Sequence, residues 1–255
     1  MPVVLVEKQT PRITVLTLNR PERRNSLTIE LMTELVAAIE AAAADSEQRI
    51  LMLRGAGAGF CTGLDLNEAA EPDKAHASAE MVAKTLRTLG RTRLVTMALV
   101  HGAAIAGGAG IMAACDFVIA AEGTKIGFPE VRRGLVAGLV MTFLRRQLRE
   151  RDLRELLLTS ELIDAKRAQE IGLVNRVVAS DQLDLVANEV TKSIMQGAPI
   201  ALANSKRLME ELWRSSVAQD IETALSHHMQ ARESAEAKEG IAAFLEKRSP
   251  KWASP

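Results

Sequence analysis

Short apolar runs alternate with amphipathic stretches along the first two thirds of the chain. The runs are rich in β-branched residues, which predicts buried strands. The predicted strands span residues 3–8, 12–19, 50–54, 94–100, 117–121 and 173–178. Between the second and third of these, Leu31, Leu35 and Ile39 fall on one face of an amphipathic helix, predicted at 29–44, that Thr28 can cap. Strands that alternate with helices predict an α/β fold.

The remaining pattern is mostly helical. Further helices are predicted at 79–89, from near Gly107, at 153–159 and at 164–172. A polar loop is expected at 71–79, and the dipeptide Pro129-Glu130 indicates the start of a short helix. From residue 183 onward the chain forms about four amphipathic segments, interrupted at 197–199 and near Ser234. Their apolar faces exceed what short helices need, so we expect this part to pack on a partner subunit.

Composition limits the class of protein. The chain has 255 residues with 32 Lys and Arg against 32 Asp and Glu, so no net charge favours nucleic acid as a partner. The amino-terminal residues lack the order of a signal peptide, and no apolar run is long enough to span a bilayer. Cys61 and Cys115 lack disulfide-framework or metal spacing, and the adjacent His227 and His228 point to different faces of a helix. We expect one large domain, or one with an appendage, in the reducing cytoplasm.

Two glycine-rich stretches follow predicted strands. One spans residues 55–66, and the other, 101–116, contains Gly107, Gly108 and Gly110. The first N–H groups of a helix that starts near Gly107 have no intrahelical partner, and the helix dipole makes that end partly positive. Such an end suits a carbonyl oxygen that gains negative charge during a reaction. The alternative is that the glycines only let a helix pack closely on a sheet.

Four stretches, in order, match the motifs of one protein family. They are LNRPERRNSL at 18–27, GFCTGLDL at 59–66, HG through ACD at 101–116, and FPE with RGL at 128–135. GLVN at 172–175 and FLEKRSPKW at 244–252 extend the match to nearly the whole length. By these motifs the chain resembles the enoyl-CoA hydratase/isomerase (crotonase) superfamily.

The resemblance implies a fold, a substrate class and an assembly. Residues 1–195 are expected to form a spiral of ββα repeats. Residues 196–255 are expected to form a helical region that makes trimer contacts and completes part of the CoA site. The implied substrate is an acyl-CoA thioester, with coenzyme A carried as part of the substrate and no separate cofactor or metal. The implied assembly is a homotrimer or a dimer of trimers.

The resemblance also implies site residues. The backbone N–H groups of Leu64 and Gly107 would form an oxyanion hole for the thioester oxygen, where charge grows as an enolate forms. Because these donors belong to the main chain, the side chain of Leu64 is free to serve in packing. The implied CoA contacts are Arg23, Arg24, Thr62, Asp65, Leu66 and, from a neighbouring subunit, Lys247. A solvated surface charge is the alternative for the two arginines and the lysine.

Hydratases of the family use two glutamates, of which this chain has one. Glu130 matches the second, and burial beside Phe128 and Val131 would raise its pKa toward proton transfer at neutral pH. The alternative is a glutamate at a helix start that only favours the helix dipole. The position of the first glutamate, three residues after Gly107, holds Gly110.

Three activities therefore stay open. Glu130 alone can take a proton from one carbon of an enoyl-CoA and return it to another, which isomerises the double bond. Hydration, or a related lyase step, needs a further group, for which Glu68 and Glu71 are candidates. Residues 129–136 also resemble branched-chain hydratases of the methylglutaconyl-CoA type. The third activity, from another class, is that of a non-catalytic acyl-CoA-binding or scaffold protein on the same fold.

Overall fold

The structure is a computed structural model that describes residues 2–71, 73–213 and 215–253. Its strands are β1 Val4–Thr10, β2 Ile13–Leu18, β3 Ile50–Gly55, β4 Val95–Val100, β5 Ala103–Ile105, β6 Phe117–Ala121, β7 Lys125–Gly127, β8 Ile163–Asp164 and β9 Arg176–Val178. Its α-helices are α1 Ile29–Ala44, α2 Leu66–Ala69, α3 Ala75–Arg91, α4 Gly107–Ala113, α5 Gly138–Gln147, α6 Glu150–Thr159, α7 Ala165–Glu170, α8 Leu183–Met195, α9 Pro199–Glu211, α10 Val217–Glu233 and α11 Ala235–Leu245. Across the described residues, no helix combines the length and apolar character that crossing a membrane requires.

A six-stranded sheet in the order β1-β2-β3-β4-β6-β9 forms the centre of the fold. The β1–β2 pair is antiparallel, and all later neighbours run parallel. Every residue of β4 is buried, as expected for a parallel strand that is covered on both faces. Helices α1 and α3 pack in the larger apolar cluster on one face, and α8 packs in the smaller cluster on the other.

A second sheet has three strands in the order β5-β7-β8. Twice the chain passes from the larger sheet to the smaller one and then into a helical segment: β4, β5 and α4, then β6, β7 and the 3-10 turn Glu130–Arg133. Residues 55–66 form a shorter version, because Cys61 pairs with Ala104 of β5 before α2 begins. These units are the ββα repeats that the family resemblance implies.

The predicted loop before α3 is partly wrong. Helix α3 begins at Ala75, so residues 75–79 are helical rather than part of a loop at 71–79. Ser78 and Ala79 are buried there, and packing extends the helix past the polar pattern that suggested a loop.

The predicted strand at 173–178 is also too long, and only Arg176–Val178 pairs with β6. The N–H of Leu173 instead donates to the carbonyl of Ala168 at 2.8 Å, which closes the end of α7. Strands β5 and β8 are too short to show a period in the sequence, and α5 starts at Gly138, a poor helix former. The other predicted elements agree with the structure to within a few residues.

The C-terminal helices fold back over the core. Helix α10 packs on α3 and α5, and α11 packs on α2 and on the turn Glu130–Arg133. That last contact depends on two glycines. A Cβ on Gly134 (φ +68°) would lie 2.4 Å from the backbone carbon of Glu236, and one on Gly240 would lie 2.5 Å from that of Arg133. Helix α11 therefore holds the turn that carries Glu130 through direct backbone contact.

Gly102 makes the tight turn between β4 and β5 possible. Its φ is +63°, and a Cβ there would lie 2.0 Å from the carbonyl oxygen of Ala58. We expect Gly102→Ala to lower the free energy of unfolding by about 2–5 kcal/mol, through backbone strain together with overpacking. Chemical denaturation measures this loss.

Gly123 provides the matched control. Its φ is +78°, but a Cβ there would meet nothing within 4 Å. Gly123→Ala is expected to cost only the backbone strain, about 1–2 kcal/mol. Equal losses in the two variants would contradict the close contact between Gly102 and Ala58.

Candidate active site

A cavity of about 430 Å³ opens between the two glycine-rich stretches, the turn Glu130–Arg133 and the C-terminal helices. Its polar lining consists of Arg23, Arg24, Ser26, Thr62, Asp65, Asn67, Glu130, Arg133 and His228. Its apolar lining includes Leu64, Leu66, Val82, Ile105, Leu135, Val136, Leu139, Val140, Phe244 and Leu245. A concave lining that combines apolar side chains with placed polar groups is typical of a site for a small organic molecule.

The two glycine-rich stretches lie side by side and are joined by main-chain hydrogen bonds. The N–H of Cys61 donates to the carbonyl of Ala103 at 3.0 Å, and the N–H of Ile105 donates to the carbonyl of Cys61 at 3.0 Å. A Cβ on Gly63 would lie 3.2 Å from the nitrogen of Gly107. The structure therefore brings the N–H groups of Leu64 and Gly107, which are far apart in the sequence, close together at the cavity wall.

Within the described part of the chain, neither Leu64 nor Gly107 donates a backbone hydrogen bond, and Gly107 is the first residue of α4. Ala106, the preceding residue, has φ 51° and ψ −125°, a strained conformation for alanine. Such strain persists only where the surroundings hold it. Here the N–H of Ala106 donates to the carbonyl of Gly127 at 2.8 Å, which fixes the entry to α4.

The packing interpretation of the glycines also holds. A Cβ on Gly108 would lie 2.3 Å from the carbonyl oxygen of Cys61, so only glycine lets α4 approach that segment. The two interpretations apply to different residues. Gly108 allows the close approach, and Gly107 presents the free N–H.

Asn25 fixes the loop at the cavity, although its sequence pattern does not single it out. Its side chain is fully buried, and its Nδ2 donates to the carbonyls of Ala56 and Gly59, each at 2.9 Å. Its Oδ1 accepts from the N–H of Arg20 at 2.8 Å. Its φ of +55° is one that asparagine tolerates better than most residues. An asparagine in a loop is too common to have indicated this role from the sequence.

Glu130 begins the 3-10 turn and lines the cavity. Its Oε2 is buried and has no hydrogen-bond partner in the described part of the chain. Burial raises the pKa of Glu130 to about 7, although the nearby Arg133 opposes the shift. The guanidinium of Arg133 stacks 4.3 Å above the ring of Phe244 on α11. Glu130 is thus a carboxyl group that can gain or lose a proton near neutral pH.

The side of α4 that carries Gly110 is closed by apolar groups. A Cβ on Gly110 would lie 2.3 Å from Cγ1 of Val140 and 3.7 Å from Cδ2 of Leu86. Val140 is itself buried and belongs to α5. The space that a longer side chain at this position would need is therefore already filled by Val140.

The two replacement carboxylates considered from the sequence are engaged elsewhere. Glu68 accepts a hydrogen bond from the N–H of Ile29 at 3.2 Å and so caps α1. Glu71 forms an exposed ion pair with Lys74 at 2.8 Å. Neither residue lines the cavity. In residues 2–71, 73–213 and 215–253, no group of three or more His, Cys, Asp or Glu is placed to hold a metal ion.

Five of the six predicted CoA contacts line the cavity, and these five are Arg23, Arg24, Thr62, Asp65 and Leu66. Both arginine side chains are exposed. Burial alone would raise the pKa of Asp65, but hydrogen bonds from Ser26 and Arg20 lower it below its usual value, so this carboxylate stays charged. The sixth residue, Lys247, is exposed and lies outside the cavity of its own chain.

Comparison with known proteins agrees with this fold and cavity. The family described as Enoyl-CoA hydratase/isomerase matches residues 8–255. The chain belongs to this family. A 2,3-dehydroadipyl-CoA hydratase of Escherichia coli is 33% identical over 251 residues, which cover 96% of this chain and 97% of that protein. A mevalonyl-coenzyme A hydratase of Aspergillus fumigatus is 33% identical over 254 residues, with 97% and 94% covered.

Solved structures of the enoyl-CoA hydratase/isomerase family confirm the crotonase-like fold. That of an enoyl-CoA hydratase from Mycobacterium avium gives a TM-score of 0.87 at 31% identity and covers 99% of this chain and 100% of that one. The chain is accordingly an acyl-CoA enzyme of the enoyl-CoA hydratase/isomerase family, with a mixed α/β fold and a helical C-terminal region.

Three cavity features of this family member were not found from its sequence. They are the strained Ala106, the wall residue Val140 and the buried His228. Each depends on a contact between segments that are distant in the chain, and none has a local motif that would indicate it.

The raised pKa of Glu130 predicts how stability changes with pH. As pH rises from the ordinary glutamate pKa of 4.5 to about 7, the unfolded chain releases this proton and the folded chain keeps it, so folding becomes less favourable. Glu130→Gln removes this effect. The variant is therefore expected to gain stability over the wild type, by about 2 kcal/mol more at pH 8 than at pH 5.

Chemical denaturation of the wild type and Glu130→Gln across this pH range measures the difference between their free energies of unfolding. The contributions of the other titrating groups are the same in both proteins and cancel. A difference that does not change with pH would show that Glu130 titrates at its ordinary value. A difference that falls as pH rises would mean that a cation in the folded state stabilises the charged form.

Proposed function

We propose that this enzyme isomerises the double bond of an enoyl-CoA thioester through an enolate, with Glu130 as the single acid and base. The observation that carries the proposal is the arrangement of carboxylates at the cavity. Asp65 is held by Arg20 and Ser26. This leaves Glu130 for proton transfer, with its raised pKa and an Oε2 that has no partner in the described part of the chain.

The free N–H groups of Leu64 and Gly107 support an oxyanion hole for the thioester oxygen. They lie close together, have no partner among the described residues, and Gly107 follows the strained Ala106, so they need little rearrangement when charge develops on that oxygen. Each such donor contributes about 3–4 kcal/mol to lowering a barrier of this kind. The start of α4 adds a partly positive helix end.

The proposed reaction needs one proton and one base. The carboxylate of Glu130 removes a proton from C2 of a 3-enoyl-CoA, and the electron pair spreads over the dienolate to the thioester oxygen. The oxygen is held by the two N–H groups. The protonated Glu130 then returns the proton to C4, which gives the conjugated 2-enoyl-CoA. A pKa near neutrality suits both steps, because Glu130 must be base and acid in turn.

The wall at Gly110 favours isomerisation over hydration by two carboxylates. Hydration by two carboxylates would need a second group that activates water, and at Gly110, the position of that group, Val140 and Leu86 present apolar atoms. Glu68 and Glu71 do not supply that group, because they cap α1 and pair with Lys74.

Hydration is the second candidate, because relatives that align over nearly the whole chain are named hydratases. Binding of acyl-CoA without turnover is the third. The same cavity serves all three, so the choice between them depends on the reaction observed.

The residues at the polar part of the cavity are proposed to bind coenzyme A. Arg23 and Arg24 are exposed and suit phosphate oxygens. Thr62, whose N–H donates to the carbonyl of Arg24 at 3.2 Å, and Leu66 line the cavity as well. Asp65 caps α2 by accepting from the N–H of Asn67 at 3.3 Å, so it shapes the segment as well as lining the site.

Exposed apolar residues on and after α9 support the proposed homo-oligomer. Every described side chain of α9 is at least partly exposed, and Ile200 and Leu212 are 75% and 77% exposed. Apolar surface of this kind is commonly covered by a partner. A trimer, or a dimer of trimers, would cover it and place Lys247 of one copy near the CoA site of another.

Removing the carboxyl group of Glu130 tests the proposed chemistry. Glu130→Gln is expected to lower kcat for the conversion of 3-hexenoyl-CoA to 2-hexenoyl-CoA by about 10²–10⁴-fold, because the base is lost and the shape is kept. The absorbance of the conjugated thioester measures the reaction. Hydration of crotonyl-CoA, measured by the loss of the same absorbance, is expected to be slower than isomerisation.

Glu71→Gln is the matched control, because this exposed carboxylate lies outside the cavity and is expected to leave kcat unchanged. Hydration faster than isomerisation, with loss of activity in Glu71→Gln, would favour a two-carboxylate hydratase. Binding of both thioesters without turnover of either would favour the acyl-CoA-binding protein.

The closed wall at Gly110 gives a second prediction. Gly110→Glu alone is expected to lower the free energy of unfolding by about 1–3 kcal/mol, because the new side chain meets Val140. Adding Val140→Ala to it is expected to recover part of this loss and to raise the rate of crotonyl-CoA hydration. Denaturation of the two single variants and the double variant measures the coupling. Additive losses, with no coupling between the sites, would contradict the contact.

A further inference from the structure

His228 places a buried imidazole at the wall of an otherwise apolar part of the cavity. It lies on α10, is only 7% exposed and borders the same space as Val136, Leu139 and Val140. Its neighbour on the helix, His227, is exposed. A buried polar side chain among apolar neighbours is costly unless its polar atoms find partners.

One nitrogen of His228 has a partner and the other is free. Its Nδ1 lies 3.2 Å from the carbonyl oxygen of Val136. Its Nε2 is buried and has no partner within the described residues. Because a carbonyl oxygen only accepts, Nδ1 must carry the hydrogen and donate it. In the neutral ring Nε2 is then an acceptor with an unused lone pair.

The surroundings keep this ring neutral. Burial lowers the pKa of His228, the hydrogen bond to Val136 opposes this, and the cation of Arg232 one turn further along α10 lowers it again. Arg232 is itself buried, and its NH2 group donates to the carbonyl of Ala69. The buried Nε2 of this cavity-lining side chain, which has no partner among the described residues, therefore accepts hydrogen bonds and does not donate them.

We propose that His228 Nε2 accepts a hydrogen bond from a hydroxyl group on the acyl part of the substrate, so that the enzyme prefers hydroxylated acyl-CoA thioesters. The inference rests on the proposed function, since it assumes that the apolar part of the cavity holds the acyl chain. An unsubstituted chain would leave Nε2 unpaired. A carboxylate on the chain would bring only acceptors to an acceptor and would not satisfy it.

Binding of saturated thioesters tests the preference separately from turnover. The probes are hexanoyl-CoA, its 4-, 5- and 6-hydroxy forms, and the mono-CoA thioester of hexanedioic acid. Calorimetry is expected to show that at least one hydroxylated form binds the wild type about 3- to 10-fold more tightly than hexanoyl-CoA, as expected for one added neutral hydrogen bond. The hexanedioic thioester is expected to show no such gain.

His228→Asn is the informative variant, because its amide can still donate to the carbonyl of Val136 but lacks an atom in place of Nε2. It is expected to bring the affinity ratio of hydroxylated to unsubstituted thioester close to one. His227→Asn, on the exposed side of the same helix, is the matched control and is expected to keep the wild-type ratio.

Equal affinity of the wild type for hexanoyl-CoA and all three hydroxylated forms would overturn the inference and leave the proposed function in place. So would a preference that persists in His228→Asn, or a tighter fit of the hexanedioic thioester. His228→Asn could also lower kcat by the same factor for hydroxylated and unsubstituted enoyl-CoA and leave the affinity ratio unchanged. That result would assign His228 to proton transfer instead. Failure of every thioester to bind would overturn the proposed function and the inference together.

Discussion

Two main-chain hydrogen bonds, between Cys61 and its partners Ala103 and Ile105, join the segments that leave β3 and β4. Because β3 and β4 are parallel neighbours, their carboxyl ends meet at the same edge of the sheet, and these bonds continue the pairing beyond it. The pairing brings Gly63 against Gly107, and the N–H groups of Leu64 and Gly107 lie close together without a partner among the described residues. Donors fixed in this way depend on backbone shape and on small residues nearby, while the side chain at position 64 serves packing.

A second feature of the cavity is a buried ionisable side chain. Glu130 is held in an apolar wall by a turn that α11 contacts through Gly134 and Gly240. That environment raises the carboxyl pKa to about 7, and the same shift makes the folded protein less stable at neutral pH than it would be with a neutral side chain. Stability and the proposed proton transfer thus make opposite demands on one residue, which is common at catalytic sites. Within the described residues, the Nε2 of His228 is another polar atom of a cavity-lining side chain that has no partner.

Much of this arrangement is predictable from the sequence, and the limits have physical causes. Apolar periodicity locates most strands and helices, because burial on a sheet or on one helix face leaves a regular pattern. The motif around Glu130 predicts a buried carboxyl group, and the glycines predict close backbone approach. What the sequence does not show is which side chain fills a space made by distant segments. Val140 against Gly110, Asn25 between two loops and His228 beside Val136 are contacts of this kind.

We propose that two main-chain N–H groups, from Leu64 and Gly107, bind the thioester oxygen of an acyl-CoA. Infrared difference spectroscopy of hexanoyl-CoA labelled with ¹³C at the thioester carbonyl tests it directly, because hydrogen bonds to the oxygen weaken the C=O bond and lower its stretching frequency. We expect a marked shift to lower frequency on binding to the wild type, and the same shift in Glu130→Gln, which keeps both N–H groups. A bound thioester whose carbonyl frequency equals that in water or lies above it would contradict the account.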